Sequence, residues 1–195
     1  MSNQVQIYNA DTGTSYAGLL LWLEWVLASV AGFAIGGVVG SQVSHPAGMI
    51  VTGALVGMLQ WVILRQYIAR AGWVALAGLS TLIICFAFGG AIVGAVSGLF
   101  GGASGLIAGG AVAGLVMGAT GGSFQARFLG QHLSRASWWI IASALGWSVG
   151  EAASMALGQG GGSLVGGAIA GAITGTALVW LMGHSPRVRK DVYYV

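Results

Sequence analysis

The chain has 195 residues, of which 56% are hydrophobic and only 6% charged, whereas soluble domains carry about 25% charged residues. So few charges cannot cover the surface of a water-soluble globule of this length, which makes lipid the expected solvent. Seven basic and four acidic side chains, for a net charge of +3, are too few and too scattered for a nucleic-acid footprint, and no nucleic-acid partner is expected.

From the start, Met1 to Ala17 is polar, holds no Lys or Arg, and precedes a long apolar segment without a cleavage-site pattern. A removable signal peptide is not expected. Six apolar segments follow, each near the ~20 residues that cross a bilayer as a helix: Tyr16–Gly40, Gly48–Arg70, Ala71–Gly98, Gly105–Leu133, Ala136–Leu157 and Ser163–Met182. The stretches Ser41–Ala47, Leu99–Ser104 and Gly158–Gly162 carry no charge and read as short turns. The expected fold is therefore all-α: a polytopic integral membrane protein of six transmembrane helices, arranged as three sequential helical hairpins in a single membrane domain, 1–195. A polar tail, 1–15, and a basic tail, 183–195, flank it.

The basic residues test this reading independently, because cytoplasmic loops concentrate Lys and Arg. Arg65 and Arg70 end the second segment, Arg127 and Arg135 end the fourth, and Arg187, Arg189 and Lys190 follow the sixth. One face collects them all, so both termini are expected on the cytoplasmic side of an inner membrane. Trp22, Trp25, Trp61, Trp73, Trp138, Trp139 and Trp180 cluster toward the same end, as an interfacial aromatic belt would, and Trp147 lies deeper.

An internal repeat organises the chain. The stretch Gly53–Trp73 recurs as Gly118–Trp138, matching at Gly53/Gly118, Gly57/Gly122, Gln60/Gln125, Leu64/Leu129, Gln66/Gln131, Arg70/Arg135 and Trp73/Trp138. Trp25-x-x-x-Ser29-x-x-Gly32-x-x-x-Gly36 likewise resembles Trp139-x-x-x-Ser143-x-x-Gly146-x-x-x-Gly150. Gly171-x-x-x-Gly175 echoes the Gly53/Gly57 pair, which places Leu178 where the other copies have Gln. Three units, about 16–70, 71–135 and 136–187, then repeat in the same orientation, with a pseudo-symmetry axis along the membrane normal.

Glycines four apart form a groove that lets a neighbouring helix approach closely, where packing rather than water exclusion drives association. Gly32 and Gly36, Gly53 and Gly57, Gly94 and Gly98, Gly114, Gly118 and Gly122, Gly146 and Gly150, and Gly171 and Gly175 are the expected packing positions. Such a glycine-zipper bundle leaves little room for a wide aqueous pore.

Polar groups inside predicted spans are the functional candidates, since ionisable residues are costly there. Glu24 lies at a depth that Arg65 and Arg127 approach, and an ion pair would spare both charges from lipid. Glu151 lies toward the uncharged side with no basic residue nearby; partner contact, ion or proton handling and a hydrated crevice all stay open. Gln60 and Gln125 are expected to hydrogen-bond between helices. His45, His132 and His184 fall in or near loops on different faces, and Cys85 is the single cysteine, so no metal site and no intrachain disulfide are expected. No cofactor is implied, and a bound lipid or pigment stays open. No nucleotide-loop, zincin or nucleophile-elbow motif occurs, and Gly158–Ser163 reads as a flexible turn.

The pattern Gly-x-x-x-Gly-x-x-Gln-Trp-x-x-Leu-Arg from Gly53 to Arg65, with Arg70-Ala-Gly-Trp73 after it, resembles a group of uncharacterised polytopic membrane proteins of cyanobacteria and Chloroflexus-type bacteria. The second copy departs from it at Ala126 and Gly130. The resemblance implies a phototrophic bacterial source and no set activity. Abundant packing surface with few reactive groups points to a non-catalytic accessory subunit of a larger membrane complex, photosynthetic or respiratory. A small transporter or channel using Glu24 or Glu151 is the alternative.

Overall fold

A computed structural model describes residues 16–43, 45–67, 88–158 and 161–184. They form six helices: α1 Tyr16–Gln42, α2 His45–Tyr67, α3 Phe88–Phe100, α4 Gly102–Leu129, α5 Trp138–Leu157 and α6 Gly161–Gly183. The segments α1, α4, α5 and α6 are long and apolar enough to cross a membrane. Large apolar side chains such as Leu19, Leu27, Val38, Leu106 and Ile141 stand on the outside. An exterior of that kind is solvated by acyl chains, so the chain is a multi-pass membrane protein in contact with lipid.

The helices run further into the turns than the hydropathy pattern places them. Helix α2 starts at His45 rather than Gly48, with Pro46 in the first turn, where a missing N–H breaks no intrahelical bond. Between α3 and α4 only Gly101 is non-helical. Its φ of 69° with ψ of 161° is open to glycine alone. The cause is the solvent: a backbone polar group left unpaired in lipid costs several kcal/mol, so the α3–α4 link shortens to the fewest residues that can reverse the chain. The expected beginning of the third span, from Ala71, lies outside the described residues.

Helix α1 packs on α2 and on α6, and α5 packs on α6 and on α4. Helix α3 lies on α4, where a Cβ at Gly105 would sit 2.8 Å from the Ser97 carbonyl and one at Gly109 would sit 2.8 Å from that of Val93. The arc α2–α1–α6–α5–α4–α3 closes on itself through Ile50, which joins Val93, Ala113 and Met117, and through Ile63, which shares a core with Leu129, Leu133 and Leu178. Three antiparallel hairpins thus surround one interior.

The basic ends come together. Arg65 and Arg127 occupy the last turns of α2 and α4. Arg135 lies in the link between α4 and α5, with a φ of 63°. The end of α6 joins them, since the Ser134 hydroxyl donates to the His184 carbonyl at 3.1 Å. Arg70, Arg187, Arg189 and Lys190 lie outside the described residues.

The tryptophans divide in two. Trp138 and Trp180 stay largely exposed and meet edge to face at 6.5 Å, as an interfacial pair would. Trp25 and Trp139 do not belong to a belt: they are 1% and 2% exposed and meet at 5.7 Å and 81° in the core. Such edge-to-face pairs contribute about 0.5–1.5 kcal/mol beyond burial. Trp138 and Trp139 are neighbours at the start of α5, so the helix face and not the position along the helix decides which solvent each of these indoles meets.

Candidate functional site

Where the hairpins meet, the described residues place four of their six buried polar or charged groups, Ser29, Gln60, Ser143 and Thr174, with Gln125 beside them. Two helix interfaces build this centre in the same way. Where α4 meets α5, a Cβ on Gly118 would stand 2.9 Å from the Ala144 Cα, and one on Gly122 would stand 2.8 Å from the Ser143 Cβ. Where α6 meets α1, a Cβ on Gly167 would stand 2.9 Å from the Val30 Cα, and one on Gly171 would stand 2.9 Å from the Ser29 Cβ. Ser29 and Ser143 are matched by the repeat, so Gly167 and Gly171 are the structural counterparts of Gly118 and Gly122.

That equivalence shifts the expected alignment of the third unit by one helical turn. Gly171 stands where Gly122 and Gly57 stand, and Thr174, not Leu178, takes the place of Gln125 and Gln60. The hydrogen bonds follow the same rule. The Trp139 indole N–H donates to the Gln125 side-chain carbonyl at 2.7 Å. The Trp25 indole N–H donates to the Thr174 hydroxyl at 3.0 Å. A threonine hydroxyl and a glutamine carbonyl are different residues in sequence and the same acceptor in chemistry.

Donor directions in this network are fixed by groups that can act in only one way. Thr174 passes its own proton to the Ala170 carbonyl at 2.7 Å, so its oxygen is free to accept from Trp25. Ser29 gives its proton to the Trp25 carbonyl at 2.9 Å. Its oxygen must therefore accept from Gln60, whose Nε2 lies 3.2 Å away. Gln125 must present oxygen to Trp139, because an indole nitrogen only donates. Between these groups, lined by Gln60, Gln125, Ser143, Trp147, Val56 and Met117, is a cavity of about 10 Å³.

The remaining expected positions distribute as follows. Gly32 faces Val56 and Gly36 faces Thr52 within the first hairpin, while Gly146 and Gly150 face Thr174 and Gly166 within the third. Gly114 abuts the Trp147 backbone, Gly175 lies beside Trp22 and Trp25, and Gly53 is buried. Gly57 is half-buried. Gly94 and Gly98 differ from expectation: both are exposed, and a Cβ on either meets nothing within 4 Å among the described residues. Helix α3 turns Val93 and Ser97 toward α4, so a four-residue spacing marks a groove without saying which way it faces. Gly105, Gly109, Gly162 and Gly166 make close approaches that the four-residue rows left unmarked.

The charged candidates also move. Glu24 accepts a hydrogen bond from the Tyr67 hydroxyl at 3.3 Å, and among the described residues it does not pair with Arg65 or Arg127. Two residues along a helix is about 200°, so Tyr67 facing α1 turns Arg65 outward. Arg65 instead lies over the Trp61 ring at 5.2 Å, and Arg135 lies over Trp180 at 6.0 Å. Arg127 is exposed. Glu151 is 7% exposed and therefore inside the bundle, one turn beyond Trp147; Trp147 in turn lies 5.2 Å from Phe33. Among the described residues no three His, Cys, Asp or Glu side chains gather as a metal site would require. No family model, no curated protein and no solved structure matches the chain.

Proposed function

We propose that the chain is a non-catalytic subunit with six membrane spans and both ends on the cytoplasmic side, packing beside other subunits of a larger photosynthetic or respiratory membrane complex. The observation that carries this reading is the contrast between its inside and its outside. The interior is shut by backbone-to-backbone approach, and its central cavity holds about 10 Å³, room for about one water molecule. Outside, among the described residues, α3 leaves Gly94 and Gly98 open, a bare strip of backbone of the kind that receives a neighbouring helix in lipid. A protein built to conduct needs the reverse allocation, open space within and lipid-filling side chains without.

Purification from native membranes in mild detergent tests it. Another membrane protein should accompany the chain at a fixed ratio, and Gly94→Leu or Gly98→Leu should release that companion while the chain itself stays monodisperse. Recovery of a single autonomous chain under those conditions refutes the proposal.

A second reading rests on Glu151, a carboxylate enclosed within the bundle on the far side of the Phe33–Trp147 contact. Intramembrane acids commonly mark ion or proton pathways. Under this reading the chain is a small transporter, and purified chain in proteoliposomes carries an ion or proton flux that Glu151→Gln removes.

A further inference from the structure

The repeat leaves one of three equivalent polar positions incomplete. At two helix interfaces an indole N–H covers the acceptor, Trp139 on Gln125 and Trp25 on Thr174. The third acceptor is Gln60. In the sequence repeat the residue aligned with Trp139 is Val74, which lies outside the described residues and whose side chain has no donor in any conformation. Gln60 spends its amide nitrogen on Ser29, and among the described residues its carbonyl has no protein donor. Gln125 is the mirror case, since it spends its carbonyl on Trp139 and keeps two N–H donors.

Both glutamines line the cavity. Among the described residues, every fully enclosed polar side-chain atom has a hydrogen-bond partner. The unspent ends of Gln60 and Gln125 are therefore not fully enclosed by protein, and the open space that both residues line is this cavity. Gln60 is 9% exposed as a residue and counts among the buried polar groups. A polar cavity of one-probe size with two or more partners is what a buried water requires, while an apolar one of equal size stays dry.

We infer that this cavity is the binding site of a single structural water, which donates to the Gln60 carbonyl and accepts from the Gln125 amide, with Ser143 at its edge. The water takes the role that an indole plays at the other two interfaces and joins α2 to α4 across the interior. Its polarity is set by the fixed network around it: an acceptor on one side and a donor on the other, the pair that a water molecule bridges and an ion does not.

The test is a structure of the full chain in lipid nanodiscs at a resolution that shows ordered water, for the wild type and for Gln60→Met, which keeps length and flexibility but removes the acceptor. The expected result is one density within hydrogen-bonding distance of both Gln60 and Gln125 in the wild type, and its loss in the variant. A dry cavity in the wild type, a direct Gln60–Gln125 hydrogen bond, or an undiminished density in Gln60→Met overturns the inference. Cross-relaxation in NMR between water and the Gln125 side-chain amide of the wild type gives a decision that needs no variant to fold: its presence supports the site, and its absence refutes it.

Discussion

The indole N–H of Trp139 reaches across from α5 to the side-chain carbonyl of Gln125 on α4 at 2.7 Å. It is a short bond between two helices that also meet through glycine and through the Ser148 hydroxyl, which donates to the Ala111 carbonyl at 2.9 Å, and Trp25 forms an edge-to-face pair with the Trp139 ring. Replacing Trp139 with Phe removes the donor and strands a carbonyl in the core. Interhelical hydrogen bonds in membrane proteins contribute about 0.6–1.7 kcal/mol, and Trp139→Phe should destabilise by that amount plus the smaller ring's lost packing. A double-mutant cycle with Gln125→Leu in bicelle unfolding isolates the bond. A coupling energy near zero would mean that the contact holds nothing.

Thr174 offers a comparison within one residue. Its hydroxyl accepts from Trp25 and donates to Ala170, and valine has the same shape without that chemistry. Thr174→Val leaves the Trp25 N–H enclosed without an acceptor and should cost about 1–3 kcal/mol, the penalty for a buried donor deprived of its partner. Thr174→Ser keeps the oxygen and should cost less, despite losing a methyl group. If the two variants unfold alike, shape rather than the hydrogen bond governs this position.

These two hydrogen bonds also mark where the sequence could be read and where it could not. Gly167, Gly171 and Gly175 are spaced one turn apart, so sliding the third unit by a turn preserves the glycine pattern and changes every partner. Only the three-dimensional match of Ser29 with Ser143 selects the register, and with it Thr174 as the counterpart of glutamine. Hydropathy set the helices and their number because lipid tolerates almost nothing else. It could not set the facing of helices that are apolar all round, which is why Trp25 looked interfacial and Gly94 looked packed. The convergence of Arg65, Arg127 and Arg135 at one pole was legible because charge, unlike apolarity, cannot be placed on either side indifferently. Glu24 pairing with Tyr67 was not, because two residues along α2 decide whether a side chain faces α1 or lipid.

The facing of the glycines yields opposite outcomes for identical substitutions. A methyl group on Gly118 or Gly167 would fall within 3 Å of backbone on the next helix, and backbone cannot move aside as a side-chain tip can. Gly118→Ala and Gly167→Ala should each cost about 1–3 kcal/mol, the usual range for overpacking. Gly94→Ala and Gly98→Ala meet open space and should leave the stability of the isolated chain unchanged or slightly raised, as alanine favours helix. Thermal unfolding of the four variants in one detergent is sufficient. Equal losses across the set would show that glycine serves backbone flexibility here and not close approach.

Trp147 separates the two functional readings most sharply. It packs on Phe33 at 5.2 Å and lines the central cavity, with Glu151 one turn beyond it on the same helix. In a packing subunit, Trp147 fills space. Trp147→Ala then costs about 3–5 kcal/mol, as large aromatic truncations in cores do, and proteoliposomes containing the variant stay as tight as those with the wild type. In a transporter the same ring divides the enclosed acid from the glutamine centre, and removing it joins two polar regions. Flux would then rise in Trp147→Ala and fall again in Trp147→Ala/Glu151→Gln. Measuring stability and leak together on both variants decides the matter: a destabilised but impermeable single variant supports the accessory-subunit proposal, and a leak that depends on Glu151 refutes it.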